Sequence, residues 1–277
     1  MLSIVYGLLS ALVWGGADFA GGLASRSERP IRVVTLAETA GLALLIGLFL
    51  LFPEPMPPVE VWVISGIASI CGTAGIILLY RALAEGQMSI AAPVSALMGA
   101  IIPVVVSSFT EGLPGWVTFL GFVFALASIW LISQDEKTGH LQRLSDLRLP
   151  LLSGVGFGLY FVLIHAVSQD YTLWPLIASR SISVPLLIAF GLITRQRVMP
   201  QRSLWPLASL GGLLDVTGNI FYVLAGQVGR MDVAVVLVSL YPASTVILAS
   251  IFLKERINRT QALGVIAALV AIVLMAI

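Results

Sequence analysis

Ten runs of mostly apolar residues, each about 20 residues long as a membrane-crossing helix requires, take up nearly all of this 277-residue chain. They cover 3–25, 31–52, 60–84, 88–110 and 115–133, then 149–168, 173–194, 203–228, 232–253 and 259–277. No Lys or Arg precedes the first run, so it reads as a membrane helix and not as a cleaved signal peptide.

Hydrophobic residues make up 58% of the chain and charged residues only 10%, where a soluble domain carries roughly 25% charged. The mean hydropathy is +1.02. That excludes an ordinary cytosolic enzyme. A net charge of +1 with no basic stripe gives nucleic acid nothing to bind. The single cysteine, Cys71, permits neither an intramolecular disulfide nor a Cys-based zinc site, and reads as a packing residue. His140 and His165 are the only histidines, and no HExxH or GxSxG motif occurs, so no enzyme, metal centre or cofactor is expected. The GxxxG run from Gly154 to Gly158 reads as close helix packing, since no strand precedes it to form a phosphate cradle.

The two halves repeat at an offset of 143 residues. Ser10 recurs as Ser153, Gly15 as Gly158, Gly75 as Gly218, Gly86 as Gly229 and Gly121 as Gly264. Each half holds five runs, an odd number, so tandem halves enter the membrane in opposite directions. The expected fold is an all-α integral membrane protein with ten transmembrane helices, built as two inverted five-helix repeats around a central cavity. The repeats are expected at 1–133 and 149–277, joined by a polar linker over 134–148.

Thirteen of the fifteen Lys and Arg residues fall in loops after odd-numbered spans; Arg230 alone lies on the opposite face and Arg180 within a span. The positive-inside rule therefore places the odd-numbered loops in the cytoplasm and both termini outside, for a multi-pass protein of the cell membrane.

Charge inside a span is costly, about 2.5–3.5 kcal/mol for Asp, Lys or Arg at a helix centre on insertion scales. Four residues bear that cost: Asp18, Glu38, Arg180 and Asp215. Asp18 and Glu38 each lie seven residues from the cytoplasmic end of spans 1 and 2, about 10 Å deep at 1.5 Å per residue. Two carboxylates in one pocket resist ionising together, which suits a proton-coupling site; the alternative is local capping of a neighbouring helix. Asp215 lies near the middle of span 8 with Asn219 and Tyr222 on the same face, a row that fits a substrate cavity or an interhelical hydrogen-bond seam. Arg180 fits a partner for Asp215, a clamp for a substrate carboxylate, or a side chain snorkelling to the interface.

None of these charges is repeated. At the offset, Asp18 faces Phe161, Glu38 faces Ser181, Arg180 faces Ala37, Asp215 faces Gly72 and Asn219 faces Ile76. A shared skeleton with unshared charges fits a site grafted onto a symmetric frame. Trp14 shares a face with Asp18; Phe157, Tyr160 and Phe161 occupy the matching part of span 6, and Tyr241 precedes Pro242 in span 9. Aromatic walls beside acids suit organic cations.

The run Ser10-Ala11-Leu12-Val13-Trp14-Gly15-Gly16, the segment Leu240-Tyr241-Pro242 and the later Leu253-Lys254-Glu255-Arg256 carry a resemblance. So do Glu111, near-counterpart of Glu255, and the glycines Gly121 and Gly264. With them the whole chain resembles the drug/metabolite transporter superfamily, in its ten-helix EamA branch. The resemblance implies a central cavity built mainly by spans 1, 3, 4, 6, 8 and 9. It also implies small organic cargo such as amino acids, drugs or nucleotide-sugar-like metabolites. Many members carry a basic residue early in span 2; here Arg180 holds the comparable place in span 7, and span 2 has Glu38.

The expected function is secondary transport of a small organic solute, a cationic or zwitterionic metabolite, amino acid or drug, by alternating access. Trp14, Asp18, Tyr160, Arg180, Asp215, Asn219, Tyr222 and Tyr241 are the candidate substrate ligands, and Asp18, Glu38 and Asp215 the candidate proton carriers. The expected partners are a small-molecule substrate, the lipid bilayer and a proton, with the chain acting as a monomer or homodimer. The alternative is an uncoupled facilitator or lipid scramblase.

Overall fold

A computed structural model of the chain describes residues 1–84, 88–132, 148–252 and 259–276. Gly86, the 134–147 part of the linker and the segment Leu253-Lys254-Glu255-Arg256 lie outside the described residues. The described chain is helical: α1 Leu2–Ser25, α2 Pro30–Leu51, α3 Val59–Ala84, α4 Met88–Thr110, α5 Trp116–Ile132 and α6 Arg148–Val167. Next come α7 Trp174–Ile193, a 3₁₀ turn Arg202–Leu204, α8 Trp205–Gln227, α9 Met231–Val238, α10 Tyr241–Phe252 and α11 Arg259–Ala276. Among the described residues six segments are long and apolar enough to cross a membrane: α1, α2, α3, α6, α7 and the stretch Arg202–Gln227; the other apolar helices are shorter.

Proline marks several starts. Pro30, Pro175 and Pro206 stand in the first turns of α2, α7 and α8, where a missing N–H costs nothing. The run from Pro53 to Pro58 stops α2 and separates it from α3.

The helix limits fall close to the expected spans, with one exception. The single span expected over 232–253 is two helices, α9 and α10, parted at Ser239 and Leu240. Pro242 lacks the N–H that would continue the ladder, and Leu240 and Ala243 instead make tighter bonds, from Leu240 N to Leu237 O (3.1 Å) and from Ala243 N to Leu240 O (2.9 Å). The break places Tyr241 at the start of α10. Ser244 then donates to Ala11 O at 2.8 Å, tying α10 to α1.

The centre is built from α1 on α8, α3 on α6 and α4 on α6, with α9 and α10 against α1. Helix α2 packs on α7 and α8, α7 packs on α3, and α5 pairs with α11 at the edge. Exposed apolar side chains such as Leu50, Phe109 and Trp116 make the outer surface. One seam occurs twice. Ser10 Oγ donates to Gly218 O and Ser153 Oγ donates to Gly75 O, each at 2.8 Å. In the same two places a Cβ on Gly218 would overlap the Trp14 ring, and one on Gly75 would lie 2.9 Å from Phe157. Gly218→Ala is therefore expected to destabilise the fold by about 1–3 kcal/mol, the usual cost of overpacking. Chemical unfolding of the detergent-solubilised protein measures it. A variant as stable as the parent would mean that α1 does not seat on α8 at this depth.

Candidate functional site

A cavity of about 70 Å³ lies among α1, α2, α3, α6, α7, α8 and α10. That is room for a few waters or the polar part of a small solute, since each water needs about 10–15 Å³ by the same measure. The four charged residues that lie deep within the spans are on its wall: Asp18, Glu38, Arg180 and Asp215.

Arg180 is the hub. Its Nη1 pairs with Glu38 Oε1 and its Nη2 with Asp215 Oδ2, so one guanidinium from α7 joins carboxylates from α2 and α8. Neutral donors add to both pairs. Ser183 Oγ donates to Glu38 Oε2 at 2.6 Å, and Asn219 Nδ2 donates to Asp215 Oδ2 at 3.2 Å. The network continues outward. Tyr160 OH donates to Asn219 Oδ1 at 2.6 Å, and Trp14 Nε1 donates to the Asp215 carbonyl at 3.0 Å. Burial makes such a network depend on every member, because an unpaired charge there has no water to fall back on.

Asp18 and Glu38 do line one pocket, as their matched depth implied, yet their surroundings differ. Among the described residues no cation comes within ion-pair distance of Asp18. Three acids face one guanidinium, and the cavity is acidic overall. Among the described residues no group of three His, Cys, Asp or Glu side chains is set to hold a metal ion. Arg180 does not snorkel: its side chain is 11% exposed and turned to the two acids.

Trp14, Tyr160, Asn219 and Tyr241 also stand on the wall. Tyr222 does not. It is 1% exposed, its hydroxyl donates to Phe161 O at 2.7 Å, and its ring stacks on Trp14 and packs at a tilt against Phe161 as backing for the wall. It shares a helix face with Asp215, but its extra turn toward the end of α8 carries it past the cavity. Sequence reasoning missed Ser69, Thr73 and Ser179 on the wall, where Ser69 Oγ donates to Ser179 O at 2.7 Å. It also passed over the part played by Gly72 and Ile76. The signal for them was the offset itself. Four pairs of repeat-related residues meet on this one wall: Trp14 with Phe157, Asp18 with Phe161, Gly72 with Asp215, and Ile76 with Asn219.

His165 is not on the wall; it lies at the end of α6, 3.8 Å from Glu111.

The model of the EamA-like transporter family matches residues 1–134 and 147–277. An uncharacterized protein of Methanocaldococcus jannaschii is 26% identical over 129 residues, which are 47% of this chain and 94% of that protein. A solved crystal structure of a protein covers 98% of this chain and 95% of its own at a TM-score of 0.78 and 18% identity, a likeness of fold.

Proposed function

The chain belongs to the EamA-like transporter family, and we propose that it is a secondary transporter that moves a small organic cation across the cell membrane by alternating access. The family makes it a multi-pass membrane protein of the transporter type, with small-molecule cargo and a lipid environment. The observation that carries the finer reading is the acidic, aromatic-walled cavity enclosed by helices of both halves.

Two five-helix repeats of opposite topology, 1–133 and 149–277, frame that cavity in this reading, joined by a linker over 134–148. Support comes from the family model, which falls on the chain in two stretches, and from a relative about half as long. It comes also from the packing. Exchanging the halves turns α1 on α8 into α6 on α3, and α2 on α8 into α7 on α3, all observed pairs. The loop charges favour a cytoplasmic place for the odd-numbered loops, with both termini outside.

The pairing of Arg180 favours a cation over a zwitterion as substrate. A zwitterion needs an anion site, and both Nη groups of Arg180 already hold carboxylates. A cation finds Asp18 on the same wall, beside Trp14, Tyr160 and Tyr241. Asp18 is equally a place for a proton, so that solute and proton exchange at one group. Glu38 and Asp215 complete the proton path as partners of Arg180.

Proteoliposomes test this with a panel of organic cations and amino acids under an imposed pH gradient. The expected result is cation flux that follows the gradient and is lost in Asp215→Asn. Cation flux indifferent to the gradient would identify an uncoupled facilitator and end the coupling scheme. Amino-acid flux alone would end the cation reading.

A further inference from the structure

On the face where α2, α6 and α8 end, the turn after α2 is bound to the start of α7. Glu54 accepts from three successive backbone amides, Thr172 N at 2.9 Å, Leu173 N at 3.0 Å and Trp174 N at 3.2 Å. The Trp174 indole returns a bond to Glu54 O at 3.3 Å. Its ring packs 4.9 Å from Phe49 of α2 and 5.5 Å from Trp62 of α3.

These three rings lie directly outward of the cavity. Ser69 and Ser179 join α3 to α7 on its wall. Trp62 lies seven residues up α3 and Trp174 five residues up α7, about 10 Å and 8 Å along the helix axes. Trp174 thus packs with Phe49 and Trp62 where α2, α3 and α7 meet, between the cavity and the Glu54 face.

The repeat-related place on the opposite face is built differently. Arg197 stands where Glu54 stands, and Arg29 where Thr172 stands. There Arg32 Nε donates to Arg197 O at 3.0 Å, its Nη1 pairs with Glu28 Oε1 at 2.7 Å, and Arg29 pairs with the Gln196 side chain. A carboxylate gathered by three amides at a helix start is charge-assisted and complements the helix dipole.

We propose that Trp174, latched by Glu54, is the gate on this face of the transporter. The gate rests on the alternating-access reading above.

The test uses Ser69→Cys in a Cys71→Ser protein and a membrane-impermeant thiol reagent, applied to intact cells and to inverted vesicles. A separate Thr110→Cys protein reports which preparation exposes the Glu54 face, because Thr110 is exposed there at the end of α4. From that face Ser69→Cys should react slowly. Glu54→Gln should speed it at least ten-fold, Trp174→Phe at least three-fold, and Arg32→Gln not at all. Trp174→Phe keeps a ring in place and decides the matter if Glu54→Gln fails to fold. Parent-like rates in both gate variants, with reaction from the opposite face intact, would overturn the gate and leave the transport reading standing. A cysteine unreachable from either face in every variant would overturn both.

Discussion

Arg180→Met should be the most damaging single substitution in the chain. The guanidinium is the shared partner of Glu38 and Asp215, whose side chains are 4% and 19% exposed. Removing it leaves two acids facing each other in a helix bundle. Breaking a buried pair from one side costs about 3–5 kcal/mol, because the uncompensated charge stays behind. The loss should appear as a large fall in melting temperature of the purified protein, together with loss of transport. Arg180→Lys should recover only part, since one ammonium cannot fork between carboxylates from two helices. The triple variant Arg180→Met, Glu38→Gln, Asp215→Asn should regain most of the stability, because Ser183 and Asn219 still supply hydrogen bonds to the amides. It should remain inactive. Free guanidinium added to Arg180→Ala should raise its melting temperature. An Arg180→Met protein as stable as the parent would show that the side chain is not the buried counter-ion of this site.

The charges of this site were legible because lipid makes charge conspicuous. Asp18, Glu38, Arg180 and Asp215 are the charged residues farthest from the ends of the apolar runs, and the structure draws all four around one cavity. The sequence offered Asp215 as one partner for Arg180 but did not disclose that Glu38 shares the same guanidinium. Periodicity fixes the face and depth of a residue on its own helix, but Arg180 reaches Glu38 and Asp215 only through the packing of α7 on α2 and α8. Neutral wall residues escaped for another reason. Ser69, Thr73 and Ser179 are the small side chains that any membrane helix uses for close packing, so nothing distinguishes them until their neighbours are known. Tyr222 misled because one turn of helix separates a wall residue from its backing. The break between α9 and α10 escaped because an apolar run reads the same whether or not Pro242 interrupts its ladder. Glu54 read only as part of a proline-rich turn; its binding to the start of α7 is a contact 118 residues away.

Asp18→Asn should give the opposite signature: function lost, fold kept. Asp18 has no cation within ion-pair distance among the described residues, so its amide replacement strands no partner. Asparagine has nearly the same shape, and it removes an ionisable group from a wall that carries three acids against one guanidinium. Stability should change by less than about 1 kcal/mol, or rise, since relief of like-charge repulsion offsets any lost hydrogen bond. Transport of organic cations should fall by about a hundred-fold, the scale of a lost charge-assisted contact of roughly 2–3 kcal/mol. What remains should no longer respond to an imposed pH gradient. The contrast with Arg180→Met is what separates the two roles. In the proposed function one residue holds the walls together through Glu38 and Asp215, and the other is the ligand for the cargo. Proteoliposome flux and thermal unfolding, measured on the same preparation, decide it. An Asp18→Asn protein that keeps gradient-driven cation flux would move the coupling group to the Arg180-paired acids. One that unfolds would make Asp18 a structural partner instead of a ligand.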